Sequence, residues 1–427
     1  MKLERTEKQT LLYLTIAAFF NGFVMSSFHV HDIIAKKALH AVDWQVTILV
    51  MLWPITNLLS IWWGKILEHS HSLKKYFVIT AFVGRLSLIL MLFVNNYYQY
   101  LGIFILVFSF NALISPAQNS IYQTNLRPQI RGKYFGLLAS LVTLIMVVFS
   151  YISGKLMDVN EDYFRYIFAM VGVFGCVSSL WMSMIKLKKK TITEKAFLNL
   201  KHLIVTPVKR SFEVLKKNKD FSEFQLSYLI YGSAFMMLMP AIPKYLVENL
   251  KMDYTQTFLA KGVISQLGIL FLAPLAGKVF DRKNPVYFSA ITFAVLGLYP
   301  LMLLISHLFL GASYVNYLVY FAFFIYGIGM SGIVISWDIS SIYFAGDEDA
   351  SMFQSVHVTL TGLRGIFAPF LGFFILRVFG IPAVFITAVI LFYTASVLSY
   401  RHYHRMDKKK MPFSGKKIRS YFRRYIP

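Results

Sequence analysis

Long apolar runs dominate this chain and fix what it can fold into. Twelve can be marked, at residues 10–33, 44–67, 76–95, 98–122, 134–157, 163–185, 222–247, 255–280, 286–308, 315–343, 351–377 and 381–402. Each reaches the roughly 20 residues that a helix needs to cross about 30 Å of hydrocarbon. No water is present there to satisfy any backbone other than a helix or a closed barrel. The expected fold is an all-α membrane protein with twelve transmembrane helices, here called helices one to twelve. Charged residues are only 15% of the chain, against about a quarter in a soluble domain. The single Cys176 lies inside helix six, which rules out a disulfide framework or a multi-Cys metal site. Residues 1–9 are polar and run straight into a long apolar segment, so no cleavable signal peptide is expected.

Formal net charge is +23, a balance that in a soluble chain would suggest nucleic acid. The basic residues instead cluster in short stretches between the apolar runs. With the N-terminus placed in the cytoplasm, that side holds residues 1–9, the 2–3, 4–5, 6–7, 8–9 and 10–11 connections with their adjoining helix ends, and the tail. It carries 33 of the 43 Lys and Arg. Seven fall on the other side (Lys36, Lys37, Lys155, Arg165, Lys244, Lys251 and Arg377), and Arg85, Lys261 and Arg364 lie within helices. An excess of Lys and Arg marks cytoplasmic loops. The charge is thus mainly a topology signal, with both termini inside, and no nucleic-acid partner is expected. A bacterial inner membrane is the expected location.

The chain also repeats itself. "GKILEHSH" (64–71) ends helix two and "GKVFDRKN" (277–284) ends helix eight, 213 residues later. Ser120-Ile121-Tyr122 ends helix four, and Ser341-Ile342-Tyr343 ends helix ten. Six helices (1–185), a basic connection (186–220), six more helices (221–402) and a basic tail (403–427) follow from this pattern. Parallel repeats about an axis along the membrane normal are a known transporter design.

At these residues the chain resembles the major facilitator superfamily, across roughly residues 10–402. That family carries Gly-x-x-x-Asp-Arg-x-Gly-Arg-Arg after helix two, commonly echoed after helix eight. The second copy matches here at Gly277, Asp281 and Arg282, then departs at Asn284 and Pro285. The first copy has Gly64 but replaces Asp by Glu68 and Arg by His69. "NLRPQIRGKYFG" (125–136) is similar to the family's sequence after helix four. The resemblance implies two pseudo-symmetric six-helix bundles that rock about a central site. It also implies gating contacts: Glu68 at the start of helix eleven, and Asp281 at the start of helix five near Arg131. Physically, Gly lets helix ends approach closely. A carboxylate at a helix N-terminus gains about 0.3–1 kcal/mol. Ordinary polar turns are the plainer reading of each motif.

A central Arg, Lys or Asp costs about 2.5–3.5 kcal/mol on insertion scales, so each polar group in the membrane is a candidate. Helix one carries Asn21, Ser26, Ser27, His29, His31 and Asp32; helix four carries Asn111, Ser115, Gln118 and Asn119. Helix seven carries Tyr228, Tyr231 and Lys244, and helix ten Ser331, Ser336, Trp337 and Asp338. By the resemblance, helices one, four, seven and ten line the cavity. Helix eleven has the clearest stripe, with His357, Thr361 and Arg364 at i, i+4 and i+7. Asp338 pairing with His357 or Arg364 is either a structural ion pair or a proton-responsive device with Arg364 anchoring an anion. Arg85 is expected to be structural, because helix three lies outside the cavity in the family. Lys261 either contacts solute or reaches the outer interface.

The expected function is secondary transport of a small polar, anionic solute, coupled to protons or another ion. Arg364, His357, Thr361, Asn21, Asn111, Gln118, Tyr231 and Lys261 are the candidate solute residues. Asp338, His357 and Asp32 are the candidate proton carriers. Cations and histidines outnumber carboxylates among the buried charges, which favours an anion. Helix five lacks the Gly-x-x-x-Gly-Pro-x-x-Gly of many drug/proton antiporters. Two alternatives stand: export or flipping of an amphipathic drug or lysolipid, and a transporter-like sensor or scaffold. The tail interleaves Lys and Arg with aromatics, which suits anionic lipid. Phosphate-binding Gly loops, His-Glu-x-x-His spacing and nucleophile elbows are absent from the sequence, so no enzyme, cofactor or metal is expected. A monomer in contact with membrane lipids is expected.

Overall fold

The computed structural model describes residues 3–68, 72–187, 213–282, 284–345 and 350–408, and every regular element among them is helical. Most of the basic connection and tail, at 188–212 and 409–427, lies outside the described residues. Among the described residues, ten stretches are long and apolar enough to cross a membrane. One of them, Val356–Met406, contains helices eleven and twelve together, and helix two is not among the ten.

Helices one, two, five and six are continuous, over Arg5–Lys37, Asp43–Glu68, Pro128–Val159 and Tyr163–Ser183. Helices nine and ten run over Pro285–Leu308 and Val315–Ala345. The others change pitch, and local chemistry explains where. Helix three starts as α (Lys74–Ile79), loosens to a π turn (Thr80–Arg85) and tightens to 3-10 (Leu86–Phe93). Helix four is Tyr97–Asn111 and Ile114–Asn125, with a turn at Ala112 and Leu113. Pro116 has no N–H for the Ala112 carbonyl, so the helix shifts register there. The expected stripe of Asn111, Ser115 and Gln118 therefore runs across that shift, and Ser115 is exposed. Helix seven is Lys219–Leu238, Ala241–Lys244 and a π turn over Tyr245–Asn249, broken beside Pro240. Helix eight is Tyr254–Phe258, a π turn over Leu259–Ile264, and Ser265–Arg282. Helices eleven and twelve follow each other directly over Ala350–Lys408. Their junction is Gly380, at φ 81° and ψ −179°.

The described residues form two compact units: 3–40 with 56–187, and 41–55 with 213–408. The first half of helix two thus clusters with the later helices. In the first unit, helix one packs on helices five and six. Ser26 and Ser150 share a 2.8 Å hydrogen bond, and Ser178 donates to the Ala17 carbonyl at 2.8 Å. Gly22 fits against Ile145 and Gly84 against Phe110, where any Cβ would collide. At the polar end, Arg127 just ahead of helix five forks onto Glu7 of helix one. Its Nε and Nη2 donate to the two carboxylate oxygens at 2.7 and 2.8 Å.

In the second unit, helix seven packs along helices eleven and twelve, helix nine against helices ten and twelve, and helix eight against helix ten. Small residues permit the close crossings, as expected where lipid supplies no hydrophobic drive between helices. A Cβ on Gly268 would stand 2.8 Å from Gly327 Cα, and one on Gly365 would stand 2.5 Å from Pro54 Cβ. Gly372 lies against the Met237 backbone. Lys244 ties helix seven to the start of helix two, with Nζ 2.6 Å from Asp43 Oδ2 and 3.1 Å from Glu248 Oε2.

Candidate solute-binding site

In the second unit, a cluster of buried polar groups lies where helices seven, ten and eleven meet. Helix eleven supplies His357 and Arg364, 2% and 4% exposed, two turns apart on one face. Helix seven faces them with Gln225, Tyr228 and Gly232, spaced i, i+3 and i+7, and with Tyr231. Helix ten contributes Trp337 and Ser336.

Arg364 reaches across to helix seven. Its Nη1 donates to the Tyr228 carbonyl, and its guanidinium occupies the space where a Gly232 side chain would begin. Its Cζ lies 5.5 Å from the rings of both Tyr231 and Trp337, within range of cation–π attraction. Nε is buried with no hydrogen-bond partner. No carboxylate pairs with this guanidinium among the described residues.

His357 bonds through Nδ1 to Gln225 Oε1 at 3.0 Å. Its ring meets Trp337 at 4.2 Å and Tyr228 at 4.9 Å, both edge to face. His357 Nε2 and Gln225 Nε2 are buried without partners. The Tyr228 hydroxyl donates to Ser336 Oγ at 2.6 Å and lies 3.3 Å from Ser289 Oγ, which fixes that ring among three helices. Tyr231 stacks on Phe293 at 4.6 Å. Thr361, between the two stripe residues, returns its hydroxyl to the His357 carbonyl at 2.9 Å. The centre therefore offers a cation, an imidazole nitrogen and an amide donor, walled by aromatic rings.

The first unit holds a different polar cluster. Arg85, fully buried on the π turn of helix three, donates from Nη2 to Asn21 Oδ1 at 2.7 Å and Asn111 Oδ1 at 3.1 Å. Two of the amides assigned to solute from the sequence are thus the acceptors of a buried arginine. Gly175 of helix six makes room for that arginine's stem, a Cβ there standing 3.1 Å from Arg85 Cβ and Cδ.

The remaining candidates are dispersed. Asp32 is buried, and its Oδ1 accepts the Ile33 N–H at 3.0 Å. Gln118 is half-buried after the shift in helix four, and Lys261 is half-buried on the π turn of helix eight. Arg131 Nε donates to the Leu126 carbonyl at 2.7 Å. Gly64 and Glu68 lie on helix two, Gly277, Asp281 and Arg282 on helix eight, and Asp338 on helix ten. Their side chains are outside those described, so the gating contacts and the Asp338 pair have no geometry here. Sequence reasoning missed Gln225 and Gly232. Their i, i+3, i+7 spacing with Tyr228 was the available signal, masked by a helix in which most positions are apolar or aromatic.

Membrane-length apolar helices enclosing buried polar groups are the architecture of a membrane transporter. The chain belongs to the Major Facilitator Superfamily, whose model matches residues 10–338 and again 226–424. Solved structures agree in fold. The nucleoside transporter NupG is 12% identical, with a TM-score of 0.68 over 92% of this chain and 99% of its own. A bacterial homolog of the human lysosomal transporter Spinster is 12% identical, with a TM-score of 0.64 over 94% and 98%. A POT family transporter in complex with 5-aminolevulinic acid is 12% identical, with a TM-score of 0.75 over 91% and 94%. No curated protein matches the chain in sequence.

Proposed function

We propose that this transporter moves a small anionic solute by alternating access, with Arg364 as the anion anchor and protons as the coupling ion. The observation that carries the reading is the Arg364 guanidinium, buried with a free Nε, one backbone carbonyl as acceptor and no carboxylate beside it among the described residues. Arg85, whose Nε and Nη1 also lack partners, is held by two side-chain amides. An ion removed from water costs several kcal/mol even after relaxation. One backbone carbonyl and two aromatic faces offset part of that cost, and a solute anion would offset the rest. A small polar solute also suits a cation flanked by the rings of Tyr231 and Trp337. His357 is a proposed proton carrier, because an imidazole can hold a proton on either ring nitrogen. Asp32 and Asp338 are further proton carriers in this proposal, and the Gly64–Glu68 and Gly277–Arg282 motifs, with Arg131, its cytoplasmic gates. The cytoplasmic termini and the monomeric state are part of the same proposal.

The test is a thermal-shift screen of purified protein against metabolite anions, followed by flux of the hits into liposomes with and without a pH gradient. Arg364→Ala should abolish both stabilisation and flux, while Arg85→Met should keep anion-dependent stabilisation. The reverse pattern would overturn the assignment. Flux indifferent to the pH gradient would remove the proton from it.

A further inference from the structure

His357 has two nitrogens in unequal surroundings, and this says more about the solute. Gln225 Oε1 can only accept, so the Nδ1 it touches carries the hydrogen of the neutral ring. Nε2 is then a lone pair, buried and unanswered. A buried acceptor left unmade costs about as much as a lost hydrogen bond, so this nitrogen calls for a donor. Among the described side chains, Trp337 from helix ten and Tyr228 and Gln225 from helix seven pack around the ring, and Arg364 follows two turns on along its own helix. None of these donates to Nε2.

Spacing adds a second constraint. The imidazole and the guanidinium both contact Trp337, at 4.2 and 5.5 Å, so they lie no more than about 10 Å apart. A carboxylate on the guanidinium takes up about 4 Å of that span, and a hydrogen bond to Nε2 about 3 Å. What is left, at most about 3 Å, admits no more than two or three covalent bonds.

We propose that the solute is a 2- or 3-substituted amino or hydroxy acid, its anion on Arg364 and its amine or hydroxyl donating to His357 Nε2. This rests on the anion-anchor reading of Arg364. Gln225 is then a positioning residue, which sets the tautomer by which His357 discriminates. Protonation of His357 turns Nε2 from acceptor to donor. An ammonium group, which only donates, is refused by the charged ring; a 2-oxo group, which only accepts, requires it; a hydroxyl suits both.

The experiment uses full-length protein in detergent and matched three- to six-carbon carboxylates, each as the plain, hydroxy, amino and oxo acid. Affinity is read by thermal shift and by competition for flux at pH 7. Amino and hydroxy acids, which donate to the neutral ring, should bind at least tenfold better than the plain and oxo acids. Gln225→Glu, which favours the protonated ring, should shift the preference from amino to oxo acids. Gln225→Leu should flatten the ranking while Arg364-dependent binding of plain acids persists. Equal binding of plain and substituted acids, or a ranking unmoved by both Gln225 variants, overturns the inference. Binding of phosphate esters alone overturns it while leaving Arg364 as an anion anchor. Binding of no anion removes both.

Discussion

The guanidinium of Arg364 fills the space in which any side chain on Gly232 would stand, and its Nη1 holds the carbonyl of Tyr228 one turn earlier on the same helix. One glycine on helix seven therefore decides whether helix eleven can lay its cation against that backbone. Gly232→Ala should expel the guanidinium, losing a charged hydrogen bond worth about 1.5–3 kcal/mol. Overpacking adds about 1–3 kcal/mol. Solute-induced stabilisation should vanish in Gly232→Ala as completely as in Arg364→Ala. The double variant should be no worse in solute response than either single one, the sub-additivity expected of residues in contact. Independent, additive losses would show that the two residues do not act through one site.

Arg85 makes a prediction of opposite emphasis. Its charge is buried behind the Asn21 and Asn111 carbonyls, and removing an acceptor leaves that charge worse served than before. Removing one partner of a buried charge typically costs about 3–5 kcal/mol, whereas an apolar replacement of similar size is often neutral. Asn21→Leu should therefore destabilise the protein more than Arg85→Met does. Asn21→Leu combined with Arg85→Met should recover most of the loss. Thermal unfolding in detergent orders the three variants, and a double variant less stable than Asn21→Leu alone would contradict the account.

Much of this molecule is legible in its sequence, and the limits are physical. Apolar length and the Lys/Arg distribution reveal the helices, because hydrocarbon permits only one backbone solution for a chain like this. The 357–361–364 stripe is legible for the same reason, a polar row being conspicuous in an apolar helix. What the spacing does not reveal is which partner each polar group finds. Asn21 and Asn111 look like solute ligands along their own helices, yet an arginine on helix three takes both oxygens. Thr361 has the stripe spacing but spends its hydroxyl on its own helix. Gln225 and Gly232 gain meaning only once helix seven is laid beside helix eleven. Pitch changes are half legible. Pro116 and Pro240 announce theirs, while the π turns at Arg85 and Lys261 have no such marker.

Glu7 and Arg127 form a planar, two-pronged pair, and that geometry belongs to arginine alone. The backbone N–H of Glu4 adds a third bond to Glu7 at 2.9 Å. A lysine at 127 would keep the charge and lose the fork. Arg127→Lys should therefore lower the unfolding temperature nearly as far as Arg127→Ala, and Glu7→Gln should do the same. Flux at a temperature well below unfolding should survive in all three, because neither residue touches the Arg364 centre. An Arg127→Lys variant as stable as the parent would reduce the pair to simple charge attraction.

Gly380 is the joint between helices eleven and twelve, and its backbone sits where side chains are scarcely tolerated. With φ 81° and ψ −179° it occupies a region essentially reserved for glycine, where any other residue costs about 1–3 kcal/mol. The space around it is not the obstacle, since an added Cβ would meet nothing closer than Pro382 Cδ at 3.8 Å. Gly380→Ala therefore isolates backbone strain from packing. Gly136 on helix five is the matched control, because a Cβ there meets nothing within 4 Å and its backbone is helical. Gly136→Ala should hold or raise stability, alanine being preferred over glycine in a helix by about 0.8–1 kcal/mol. Gly380→Ala should lower it, and the strain should also reach function, since helix eleven carries His357 and Arg364 into the site from that joint. The expected result is a lower unfolding temperature together with weaker solute-induced stabilisation. If Gly380→Ala and Gly136→Ala unfold at the same temperature, the bend between the last two helices does not depend on glycine.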